Sequence, residues 1–87
     1  MSYRVLFSPH SIRAYRNRAE EAKKQVDGAV EEILRNPFHG PNIKQLKGPL
    51  RDYRRCRAGN YRILYAVSKH SKEVFLDYIQ DRKDSYK

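Results

Sequence analysis

The sequence predicts an α+β fold: a small single domain over residues 1–87, running strand–helix–helix into a three-stranded antiparallel meander, with both helices on one sheet face. Three observations carry this. Residues 19–35 repeat apolar side chains at helical spacing, residues 51–68 alternate at strand spacing about Gly59-Asn60, and residues 73–80 hold a short apolar run bounded by polar residues. A chain of 87 residues buries only about 60–65% of the surface that its unfolded form exposes. One sheet with covering helices fits that size, and any site must lie on the surface.

Tyr3–Phe7 reads as a short strand with Tyr3, Val5 and Phe7 on one face. Ser8 then supplies a helix N-cap and Pro9 a first helical residue, and the helix is expected to run from Pro9 to Arg18 with Ile12 and Tyr15 on one side. Ala19–Arg35 is the stronger helix. Ala22, Val26, Ala29, Val30 and Ile33 form its apolar stripe, while Glu20 and Glu21 at its start and Arg35 at its end suit the helix dipole. Asn36-Pro37 ends it. Gly28, inside this helix, costs roughly 1 kcal/mol against alanine, and is expected to mark close helix–sheet packing. Three prolines and two glycines punctuate residues 37–50, which read as a loop anchored by Ile43 and Leu46. Strands follow at about 51–58 and 61–68, then a turn over Lys69–Lys72. The last strand, Glu73–Gln80, is apolar on both faces and therefore central. Residues 81–87 form a short polar tail.

Five arginines and one acid occupy the segment Arg51–Arg62. With Gly59-Asn60 as a two-residue loop of the glycine-first kind, Ala58 faces Tyr61, Arg57 faces Arg62 and Arg55 faces Leu64. Alternation then puts Arg51, Tyr53, Arg55, Arg57, Arg62 and Leu64 on one face. Cys56, Ala58, Tyr61, Ile63, Tyr65 and Val67 take the other, with Arg54 the exception. One face is a core and the other a cationic platform. Arg57 beside Arg62 costs folding stability unless a polyanion neutralises the pair, and clustered cations on one face point to nucleic acid. The plainer alternative is a solvated face whose guanidinium stems cover apolar surface.

The formal net charge is +9, of which +7 falls in residues 42–87. That asymmetry favours a nucleic-acid or acidic-protein partner over a small apolar ligand. Cys56 is the only cysteine, so no intrachain disulfide can form, and it reads as a small core residue in a reduced, cytoplasmic protein. No stretch approaches the ~20 apolar residues of a membrane span, so no membrane partner is expected. His10, His39 and His70 fall on a helix, a loop and a turn. Neither a histidine-pair ribonuclease nor a metal site is expected from them, and no cofactor is implied. Tyr61 and Tyr65 read as core residues with a hydroxyl at the rim.

This layout, with Arg55-Cys56-Arg57-Ala58-Gly59-Asn60-Tyr61-Arg62-Ile63-Leu64-Tyr65 following Leu46-Lys47-Gly48, resembles the RelE/ParE superfamily of bacterial and archaeal toxins. Arg82 followed by Tyr86 matches the RelE branch. Asp81 stands where many relatives have histidine, and Tyr53 near where some carry a lysine used in catalysis. The resemblance implies a type II toxin, a ribosome-dependent endoribonuclease that cleaves mRNA in the A site. It also implies inhibition by a cognate antitoxin, with mRNA on the ribosome and its rRNA as the other partners.

The chemistry so implied is attack of a ribose 2′-OH on the adjacent phosphate, which needs a proton acceptor, cations for the developing charge and a donor for the leaving oxygen. The resemblance assigns catalysis to Arg55, Arg62, Arg82 and Tyr86. Arg62 and Arg82 would stabilise the phosphate, Arg55 would orient it, and Tyr86 would accept a proton or stack on a base. Lys44, Lys47, Arg51, Arg54, Arg57 and Lys83 are the expected RNA-binding cations. The alternatives are a ParE-like poison of DNA gyrase, and a toxin-like RNA-binding domain without activity.

Overall fold

The computed structural model describes residues 3–81, which form a five-stranded sheet with two helices packed on one face. In chain order these are β1 (Arg4–Phe7), α1 (Pro9–Arg16), α2 (Glu20–Arg35), β2 (Ile43–Gln45), a 3-10 turn (Gly48–Leu50), β3 (Tyr53–Ala58), β4 (Tyr61–Ser68) and β5 (Glu73–Asp81). The sheet order is β1-β5-β4-β3-β2. The β3–β4–β5 meander is antiparallel, as expected, and β5 lies inside the sheet because β1 pairs with it in parallel from Arg4↔Glu73 to Phe7↔Leu76.

The capping residues act as the sequence indicates. The Ser11 backbone N–H donates to the Ser8 side chain at 3.0 Å, with Pro9 next in the helix. The same segment ties α1 to the sheet. Ser8 Oγ donates to the Asp77 carbonyl and the buried Ser11 Oγ to the Leu76 carbonyl, both at 2.8 Å. Val26, Ala29 and Ile33 of α2 pack on Cys56, Ala58, Ile63, Tyr65, Val74, Leu76 and Ile79, which form the core. Tyr65 is fully buried rather than at the rim, and its hydroxyl donates to the Pro37 carbonyl at 2.8 Å. Cys56 is buried within 3.9 Å of the Ala29 carbonyl, and burial pushes its thiol up to about 12. It is a core residue and too rarely ionised to act as a nucleophile.

Three further expectations need correction. Residues 43–45 are a strand, not loop: β2 pairs antiparallel with β3, placing Lys44 opposite Arg55 and Ile43 opposite Cys56. Gly28 does not mark close packing, since it is exposed and a Cβ there would meet nothing within 4 Å. Helix α1 stops at Arg16, two residues before the expected end.

Candidate nucleic-acid interface

The face away from the helices is built by three neighbouring strands. In β3 and β4 the register is the one expected from the Gly59-Asn60 turn: Arg57↔Arg62, Arg55↔Leu64 and Ala58↔Tyr61. Gly59 has φ +59, which an L-residue rarely adopts, while Asn60 keeps a negative φ. The strand β2 adds a row that alternation in the hairpin alone did not supply, with Lys44 directly opposite Arg55. Two like-charged pairs therefore sit side by side, Arg57 with Arg62 and Lys44 with Arg55.

No carboxylate neutralises them among the described residues, where the ion pairs are Arg4–Glu73 at 2.7 Å and Lys23–Glu20 at 3.8 Å. The Nε of Arg62 is buried and has no hydrogen-bond partner there. A shallow groove of about 250 Å³, lined by Asn42, Ile43, Lys44, Arg55 and Arg57, runs along the outer edge of this platform. Guanidinium forks beside an ammonium, without competing acids among the described residues, are suited to bidentate capture of phosphate oxygens.

Lys47 and Arg51 are exposed on the β2–β3 connection, at the end of the sheet. Arg54 lies apart from the platform. It pairs with Tyr65 in register, so it points to the helix face, where its guanidinium stacks 4.8 Å over the Phe38 ring. Arg82, Lys83 and Tyr86 lie outside the described residues. His10, His39 and His70 are spread over α1, the segment after α2 and the β4–β5 turn.

A second group of residues on this face was not read from the sequence as a site. Leu64 pairs with Tyr78 and Tyr65 with Leu76, so Asp77 has no partner on β4 and forms a one-residue bulge in β5. Tyr78 is 45% exposed and shares a pocket with exposed Leu50, while Phe75 and Leu6, paired across β5 and β1, are exposed as well. The His10 ring meets it edge-on at 4.8 Å. The nearby Asp77 carboxylate raises the pKa of Tyr53, and the two residues line one cavity. The available signal is the lone acid inside the apolar run Val74–Ile79, which a regular central strand does not accommodate.

A profile of the family described as "ParE toxin of type II toxin-antitoxin system, parDE" matches residues 4–86. No curated protein matches the sequence. Among solved structures, the chain is similar to that of an archaeal RelE–RelB complex from Pyrococcus horikoshii, with 21% identity, TM-score 0.78 and coverage of 94% of this chain and 97% of that one. It is similar to a YoeB/ParE toxin from Agrobacterium tumefaciens, at 19% identity, TM-score 0.77 and coverage of 90% and 96%. The isolated E. coli RelE toxin matches at 21% identity, TM-score 0.77 and coverage of 91% and 83%. At such identities these likenesses establish the fold.

Proposed function

We propose, from the premise that this chain belongs to the ParE toxin family of type II toxin–antitoxin systems within the RelE/ParE superfamily, that it is a ribosome-dependent endoribonuclease of the RelE kind. The observation that carries this reading is the cationic platform itself. Two like-charged cross-strand pairs without carboxylate partners among the described residues cost folding stability, and a phosphate backbone offsets that cost.

In the proposed reaction the ribose 2′ oxygen bonds to the adjacent phosphorus and the bond to the 5′ oxygen breaks, and that oxygen takes a proton from water, leaving a 2′,3′-cyclic phosphate and a 5′ hydroxyl. Arg62 stabilises the charge that builds on the phosphate, and Arg55 orients it from the next row of the sheet. Lys44, Arg57 and the more distant Lys47 and Arg51 hold the flanking backbone. Arg82 shares the phosphate and Tyr86 takes the 2′ proton. An arginine is a poor proton donor because its pKa exceeds ~12. The chain thus offers few proton carriers, so the ribosome orders the mRNA and free RNA is cut weakly. Neither a metal nor another cofactor has a part in this scheme.

Primer extension on a translated mRNA tests it. Growth arrest without breaks at A-site codons overturns the ribonuclease reading. The family's ParE description favours a second reading, a gyrase poison. Trapped gyrase–DNA cleavage complexes with intact mRNA would select that one. A toxin-like domain with RNA binding but no activity would be harmless when produced alone.

The partner that restrains such a toxin is a cognate antitoxin. The excess of positive charge calls for an acidic, amphipathic segment that folds on binding. Cytoplasmic action follows from the proposed targets, and no helix among the described residues is long and apolar enough to cross a membrane.

A further inference from the structure

The platform explains how a backbone is held, but not the aromatic and acidic residues beside it. Arg55, Leu64 and Tyr78 form one cross-strand row on the open face. Neighbouring strands lie about 4.8 Å apart, so Tyr78 is roughly 10 Å from Arg55, about the reach from a bound phosphate to the base of an adjoining nucleotide. At that point lies a cavity of about 430 Å³, lined by His10, Arg13, Tyr53, Asp77 and Tyr78 among others. This volume falls within the usual range for small-ligand sites.

Each side of the cavity offers a different contact. Tyr78 is 45% exposed and presents a ring available for stacking, held edge-on by His10 at 4.8 Å. The bulge places the Asp77 carboxylate at the cavity wall. A carboxylate has acceptor sites for about four hydrogen bonds, enough to take a pair of N–H donors from a ligand. Arg13, exposed on α1, adds a donor fork. A carboxylate selects paired N–H donors, whereas arginine selects acceptors such as O6 and N7 of guanine. Among the four bases, guanine alone presents two neighbouring N–H donors on one edge and two acceptors on another.

We propose that this cavity is a guanine-binding subsite, stacking the base on Tyr78 and reading its donor edge with Asp77, next to a phosphate on Arg55. The proposal rests on the RNA reading above and gives it a base preference. Tyr78 and Asp77 are then specificity residues that leave bond cleavage to the arginines.

The test is a titration of the full chain with each of the four 5′-mononucleotides, following the ring proton resonances of His10 and Tyr78. GMP is expected to bind tightest and to shift both rings. Tyr78→Ala should weaken GMP on the order of tenfold, the effect of losing one stacked base, and Tyr78→Phe should restore it. Asp77→Asn keeps the bulge and the ring, but should bring GMP down to the level of the other three. Equal binding of all four, or ring signals indifferent to GMP, overturns the subsite. The RNA reading fails separately, through intact A-site codons in primer extension, so the two outcomes are distinguishable.

Discussion

Arg57 and Arg62 stand directly opposite each other across the β3–β4 hairpin, and the Nε of Arg62 is buried with no hydrogen-bond partner among the described residues. Such a pair weakens the ladder in the free protein, and an arriving anion relieves it. A phosphate bound there would therefore stabilise the folded chain as well as being held by it.

Arg62→Ala removes one of two facing charges and a buried donor that has no partner among the described residues. The folded domain should be no less stable, and thermal unfolding of the two proteins measures this. Cleavage should fall by roughly a hundredfold or more, as when other preorganised charge donors are removed. Unfolding of the variant would show that Arg62 is structural and would sink the phosphate assignment.

Tyr86→Phe separates two roles. Its stability should match the parent's, because one hydroxyl is lost. If Tyr86 takes the 2′ proton, cleavage in primer extension drops by about a hundredfold, within the usual range for general-base loss. A fully active variant would leave only stacking to Tyr86.

Gly28→Ala should stabilise the protein. The position is mid-helix in α2 and exposed, with no atom within 4 Å of the new Cβ. The gain expected is about 0.5–1 kcal/mol, read as a rise of several degrees in Tm for a domain of this size. A neutral or negative result would mean that Gly28 contacts something the isolated domain lacks, such as a partner chain.

Alkaline pH should destabilise the fold through Cys56. Burial first, then the charge of Glu32, holds its thiol at about 12 against an ordinary value of 9.0, with Arg55 opposing. Above pH 9.0 the unfolded chain releases a proton that the folded chain keeps. Its contribution is therefore complete below that pH and is lost as pH rises toward the folded value, by about 1.4 kcal/mol per unit. Cys56→Ala should flatten the slope of urea-unfolding free energy between about pH 9 and 10, before the raised pKa of buried Tyr65 adds its own loss. An unchanged slope in the variant refutes the assignment.

Binding of the antitoxin should weaken with salt. Raising the ionic strength from ~0.1 to 1 M shortens the screening length from about 10 to 3 Å, and an acidic segment seated on the platform would lose affinity steadily. A dissociation constant indifferent to salt would place the antitoxin on the apolar end of the sheet, around Leu6, Phe75 and Tyr78.

The sequence by itself determined whatever depends on local spacing. Ser8-Pro9 sets the start of α1, the apolar stripe sets α2, and Gly59-Asn60 sets a register that puts Arg55, Arg57 and Arg62 on the open face. These are short-range effects of capping, 3.6-residue periodicity and turn geometry, and they made most of the fold and half of the platform legible. Only the tertiary structure decided the rest. Ile43–Gln45 is a strand because β3 is there to pair with it, so Lys44 reaches Arg55 through a contact that no local pattern among prolines and glycines encodes. Gly28 faces solvent because the helix settles its stripe of Val26, Ala29 and Ile33 on the sheet, turning the glycine away. Asp77 lines one cavity with Tyr53 because a one-residue bulge in β5 re-aims it, and a bulge is a mismatch between two strands, which neither strand specifies alone.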